Sequence, residues 1–224
     1  MSKLSLWLQV VVGFGLLECA LWTEHWVQLT LSFIALAWVL GCVFLWRRQE
    51  IKDLGISATG FKGSLRAIPI AFAGAIVMLL LARRFGTLEP IYGTRPWAHS
   101  LGYFIWSILQ QFMLNSFFFL AFERLFGSSR KAWLMTVTLF AIAHIPNPVL
   151  TLATLVGAMF FVEMFRRYRN IYPLAIAHAL LGLTISIAVP TPLMRHMRVG
   201  IGYLRFSQRP VAAQTSAPRL PAGH

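Results

Sequence analysis

Seven apolar runs dominate this chain: Leu4 to Trp22, Val27 to Trp46, Ala67 to Ala82, Leu101 to Phe122, Ala132 to Ile145, Val149 to Phe165 and Pro173 to Val189. A membrane-crossing helix needs about 20 mostly apolar residues, within a range of roughly 17–25. Runs of this kind, repeated through a chain of 224 residues, commit it to hydrocarbon. The third, fifth and sixth runs are short. Composition agrees, with 58% hydrophobic and 12% charged residues where soluble domains average about 45–50% and 25%. The mean hydropathy is +0.67. The expectation is an all-α, polytopic membrane helical bundle of about seven (six to eight) transmembrane helices. Lys3 and the first run resemble a signal peptide, but no small-residue cleavage site follows, so that run reads as a retained span. The two cysteines, Cys19 and Cys42, exclude a disulfide scaffold.

The net charge of +13 admits a nucleic-acid binder or a membrane protein with cationic loops. Distribution decides. Arg47, Arg48, Lys52, Lys62 and Arg66 follow the second run, Arg124, Arg130 and Lys131 the fourth, and Arg166, Arg167 and Arg169 the sixth. Clusters alternating with hydrocarbon-length runs make no continuous basic stripe, which excludes nucleic acid as a partner. A cytoplasmic N-terminus puts 12 Lys/Arg inside and 8 outside, five of the latter after the seventh run. The positive-inside rule favours that orientation, and an odd span count leaves the tail outside. The expected location is a plasma membrane, of the bacterial inner-membrane type. Residues 1–206 read as one transmembrane domain and 207–224, rich in Pro, Ala, Ser and Gln, as a disordered tail. Thr191 to Phe206 has the cationic and aromatic content of a surface-lying segment.

Polar residues inside spans mark function or interhelical glue. Gln110, Gln111 and Asn115 lie mid-way along the fourth run, with Gln111 and Asn115 four apart on one helical face. Phe140 and His144 share the same spacing near the end of the fifth run, before Pro146, Asn147 and Pro148. His178 lies inside the seventh run, and Gly182, one turn on, leaves room for a close neighbour or a substrate chain. A lone buried His is usually a satisfied core residue; two on separate helices of a small bundle point to a shared cavity. Of the acids, Glu163 has Arg166 and Arg167 at ion-pair spacing, Glu123 adjoins Arg124, and Glu18 lies near the end of the first run.

These residues, in this order, resemble the CPBP family of intramembrane glutamic proteases, which includes CAAX prenyl proteases and bacteriocin-processing enzymes. Its pattern is Glu-Glu followed four residues on by Arg, then Phe-x-x-x-His, then His-x-x-x-Asn or Asp. Phe140 and His144 match the second motif and His178 opens the third, so the resemblance covers about 101–190. Gln110 and Gln111 stand where the glutamates belong, Asn115 where the Arg belongs and Gly182 where the last Asn belongs. The resemblance implies an endopeptidase acting on membrane-anchored or lipid-modified peptides, in which a Glu is the general base and His and Asn donate to the oxyanion. An amide cannot be that base. Catalysis then falls to His144 or His178, with Gln110, Gln111 and Asn115 positioning water or the oxyanion, and Phe140, Gly182 and Asn147 lining a substrate cavity. The alternative is an inactive pseudoprotease that binds a membrane protein or lipid partner. A third reading is a His-based metal or cofactor site, for which a third ligand is not evident because His25, His99 and His196 fall near span ends or in loops. No metal and no cofactor are expected.

Overall fold

The computed structural model describes residues 2–45, 52–91 and 96–206. The tail 207–224 and the cations Arg47, Arg48 and Arg95 lie outside the described residues. Among the described residues the structure is helical, without strands. The principal helices are α1 (Lys3–Leu21), α2 (His25–Phe44), α3 (Ala67–Phe85), α4 (Pro96–Gln111, Phe112–Phe119 and Leu120–Phe126 in one continuous rod), α5 (Ser129–Ile142), α6 (Pro148–Tyr168), α7 (Tyr172–Ala188) and the short α8 (Gly200–Phe206). Five of these are long and apolar enough to cross a membrane; α7 is apolar but shorter, at 17 residues, and α5 has 14. The result is a polytopic helical membrane protein.

Local chemistry explains the helix limits. Ser2, Ser128 and Asn147 cap α1, α5 and α6 by accepting from the amides of Ser5, Lys131 and Leu150. Pro148 and Pro173 occupy first-turn positions that need no amide donor. Gly86 and Gly127 end α3 and α4 in the left-handed conformation.

α4 is the hub. Its most apolar window is 56% buried, against 22–33% for the other long helices. α7 packs on α3 and α4, α5 on α4 and α6, and α1 on α2 and α4. Six consecutive residues, Leu114 to Phe119, are buried. A regular α-helix does not place six successive side chains inside unless it is surrounded, and α4 is: Phe118 meets Phe14 of α1, Phe119 meets Phe165 of α6, and Ser116 donates to the Leu54 carbonyl at 2.5 Å. Leu8, Phe33, Phe72, Leu80 and Val156 form part of an exposed apolar exterior, the surface expected against lipid chains.

Contacts sort the helix ends into two groups. Ser64 donates to the Asn170 carbonyl, Arg66 to the Tyr168 hydroxyl, and Glu123 accepts from Arg169 and Ser129. Trp7 packs on Phe122 and Phe126. This end gathers Lys3, Lys62, Arg66, Arg124, Arg130, Lys131, Arg166, Arg167 and Arg169. At the other end Glu89 accepts from the Thr191 amide and hydroxyl, Thr87 donates to the Ala188 carbonyl, and Arg205 pairs with Glu24. The segment after α7, read from sequence as lying on the membrane surface, is tied to the bundle. Asn147 Nδ2 donates to the carbonyls of Met194 and Arg198, and the Gly200 amide to that of Ile145. Glu163 pairs with Arg166 and Arg167 as its spacing suggests. Glu123, expected beside Arg124, accepts on both its oxygens from Nη2 of Arg169, because the turn after α6 brings that guanidinium over it.

Candidate active site

The sequence treats the fourth run as one α-helix. The structure departs from this at the site: α-helical geometry stops at Gln111, and Phe112–Phe119 is a π-helix. Such i→i+5 segments are rare and recur at functional sites. Gln111 is the last residue of regular helix, and Asn115 sits within the wider turn, yet the two side chains still meet. Asn115 Nδ2 donates to Gln111 Oε1 at 2.7 Å. Gln111 Nε2 lies 3.0 Å from His178 Nδ1 on α7. An amide NH2 only donates, so Nδ1 of His178 accepts and its ring proton sits on Nε2. Gln111 and Asn115 are fully buried. Asn115 Oδ1 is buried and without a hydrogen-bond partner.

Aromatic rings box His178 in. Phe161 of α6 stacks on it at 5.2 Å between centroids, with the planes 22° apart. Tyr103 of α4 and Phe140 of α5 approach edge-on at 6.4 and 6.3 Å. Phe140 also meets His144, at 4.8 Å, so one ring touches both imidazoles. His144 Nδ1 lies 2.7 Å from the Phe140 carbonyl. A carbonyl only accepts, so Nδ1 of His144 carries the proton and Nε2 keeps its lone pair. The two imidazoles are thus set in opposite tautomers, one Nε2 a donor and the other an acceptor.

The remaining sequence-derived residues divide. Gln110 is half-buried beside Gln111. Gly182 opens space that Tyr103 takes: a Cβ there would run into the phenol oxygen and the ring carbons next to it. Asn147 commits its side chain to backbone, capping α6 through Oδ1 and holding the segment after α7 through Nδ2. Sequence reasoning missed Tyr103 and Phe161. A signal existed for the first, since Tyr103, Ser107, Gln111 and Asn115 recur every four residues, and Ser107 is buried with its hydroxyl on the Tyr103 carbonyl. Phe161 carries no signal, being one of 18 phenylalanines. Among the described residues no three His, Cys, Asp or Glu side chains cluster at metal-binding spacing.

A buried imidazole on α7, held by an amide chain from α4, and a half-buried one in the turn after α5, with Phe140 against both rings, define a polar site in this membrane bundle. Residues 92–184 match the family model described as type II CAAX prenyl endopeptidase Rce1-like. That span contains every motif residue named above, and over it the chain is similar to that family. Comparison with curated proteins and with solved structures gave no match.

Proposed function

We propose that the chain is an intramembrane endopeptidase of the CAAX-protease type in which an imidazole replaces the glutamate base. The observation that carries this reading is the 2.7 Å contact between His144 Nδ1 and the Phe140 carbonyl, which leaves the Nε2 lone pair available. In the proposed reaction His144 Nε2 takes a proton from water as its oxygen attacks the scissile carbonyl carbon. The oxyanion accepts from His178 Nε2–H, a tautomer maintained by Gln111. His144 then returns the proton to the amide nitrogen, the C–N bond breaks, and a carboxylic acid and an amine leave. Asn115 holds Gln111 in the orientation that donates to His178. The substrate class is a membrane-anchored or lipid-modified peptide. The gathering of cations at the end that carries Lys3 supports a cytoplasmic N-terminus, in a membrane of the bacterial inner type.

A second reading has its own support: Gln111 uses its carbonyl on Asn115 and points its amide nitrogen at His178, so both ends of that amide are engaged within the protein. A non-catalytic member would bind the same peptides without cutting them. Full-length protein in liposomes with a membrane-anchored fluorogenic peptide distinguishes the two. The catalytic reading expects cleavage that falls at least about 100-fold in His144→Ala, the minimum usual for a lost general base. Retained peptide without cleavage selects the second reading. Cleavage undiminished in His144→Ala and His178→Ala removes the site assignment.

A further inference from the structure

The inner face of α6 is occupied by Phe161 against His178. Glu163, two residues on, projects about 200° away at roughly 100° per residue, and Arg166 continues that outer face. There a groove of about 430 Å3 opens between the first turns of α5 and the last turns of α6, lined by Arg130, Trp133, Glu163 and Arg166. Its one acid is fully engaged: Glu163 accepts from Arg166 Nε and Nη2 at 2.8 Å and from Arg167 Nε at 2.5 Å. Arg130 adds an exposed guanidinium and Lys131 an exposed ammonium beside it. The groove's lining therefore holds two guanidiniums, Arg130 and Arg166, and one carboxylate already neutralised by Arg166 and Arg167.

The neighbouring surface is of the opposite kind. Trp133 is pinned by its indole N–H to the Met159 carbonyl at 3.3 Å. Along the same two helices, toward the middle of the bundle, Leu134, Met135, Met159, Val156 and Leu152 are exposed. A cationic mouth above an apolar face, at the end of a membrane-length helix, matches a phospholipid. The phosphate lies among the guanidiniums, and the acyl chains lie on the leucine and methionine surface. Free phosphate would leave that apolar face unused, and a zwitterionic headgroup would bring its own cation into a site already rich in them. We propose that this groove binds the phosphate of an anionic phospholipid. The proposal is independent of whether the site on the other face of α6 cuts peptides.

Full-length protein, delipidated in detergent, is titrated with phosphatidylglycerol or phosphatidylcholine, and retained lipid is read by native mass spectrometry. Phosphatidylglycerol is expected to be retained in preference. Arg130→Gln alone should weaken that retention about fivefold, and Arg130→Gln with Arg166→Gln about thirtyfold, from the usual contribution of one interfacial cation. Arg130 is exposed, so the single variant leaves the fold intact. Arg83→Gln with Arg84→Gln removes the same charge at the far end of α3 and should change nothing. Equal retention of both lipids would overturn the proposal. So would equal weakening by the two double variants, or complete displacement of phosphatidylglycerol by inorganic phosphate.

Discussion

Gly182→Ala tests the packing behind His178. In a helix with open space around it, exchanging Gly for Ala stabilises by about 1 kcal/mol. Here the new methyl would occupy the place of the Tyr103 hydroxyl and adjoining ring carbons. Over-packing of this kind costs about 1–3 kcal/mol, so the net effect runs from about zero to 2 kcal/mol of destabilisation. At about 2–4 °C per kcal/mol for a chain of this size, the melting temperature in micelles falls by up to about 8 °C. The decisive quantity is the coupling. With Tyr103→Ala as background the obstruction is gone, and Gly182→Ala should recover its ordinary stabilisation of about 1 kcal/mol. The double-mutant cycle should therefore return about 1–3 kcal/mol. A Gly182→Ala variant that stabilises both backgrounds equally, with coupling below about 0.5 kcal/mol, would refute the claim that Gly182 exists to admit Tyr103.

Gln111→Leu removes the middle of the amide chain and leaves Asn115 Nδ2 and His178 Nδ1 without their partners. It should cost about 1–3 kcal/mol in thermal unfolding, and unchanged stability would show that the chain is not formed. At the opposite end, hydrogen bonds from Thr191 to Glu89, aided by nearby His196, hold the Glu89 carboxyl below its ordinary value of 4.5. A depressed value in the folded state means the contact stabilises above about pH 4.5 and is lost as pH falls through the lower folded value. Limited proteolysis between Pro190 and Phe206 should therefore accelerate on acidification, and Glu89→Gln should remove that acid dependence.

Much of the bundle was legible because membrane spans are written as length and apolarity, quantities a single sequence carries. All seven runs reappear as helices, displaced by a few residues: Leu101 to Phe122 becomes a rod from Pro96 to Phe126, and Ala132 to Ile145 becomes Ser129–Ile142. Less legible were features that depend on what stands opposite. The π-helix after Gln111, in which Phe118 meets Phe14 and Phe119 meets Phe165, is announced by no periodicity. Asn147 looked like a cavity residue because it sits between two prolines near His144. Its neighbours at Met194 and Arg198 are about 50 residues away in sequence, and they reveal it as a clasp. Arg169 reached Glu123 in the same non-local way, 46 residues apart.

The substitutions that separate this site from the family pattern make physical sense only together. Gln111 and Asn115 are wholly buried, and Asn115 lies between Leu114 and Ser116, both buried as well. A carboxylate at position 111 could accept from Asn115 and from His178, the partners that Gln111 has among the described residues, and neither carries a fixed charge. An ionised group so placed costs several kcal/mol beyond what two hydrogen bonds return. An arginine at position 115 alone would be equally stranded. The acid pair with its arginine, and the amides with an asparagine, are therefore two complete solutions, each unstable by halves. In the neutral solution the amide chain orients His178. It cannot supply a proton acceptor. In the proposed reaction that role falls to His144, in the turn after α5, whose Nδ1 is held by the Phe140 carbonyl.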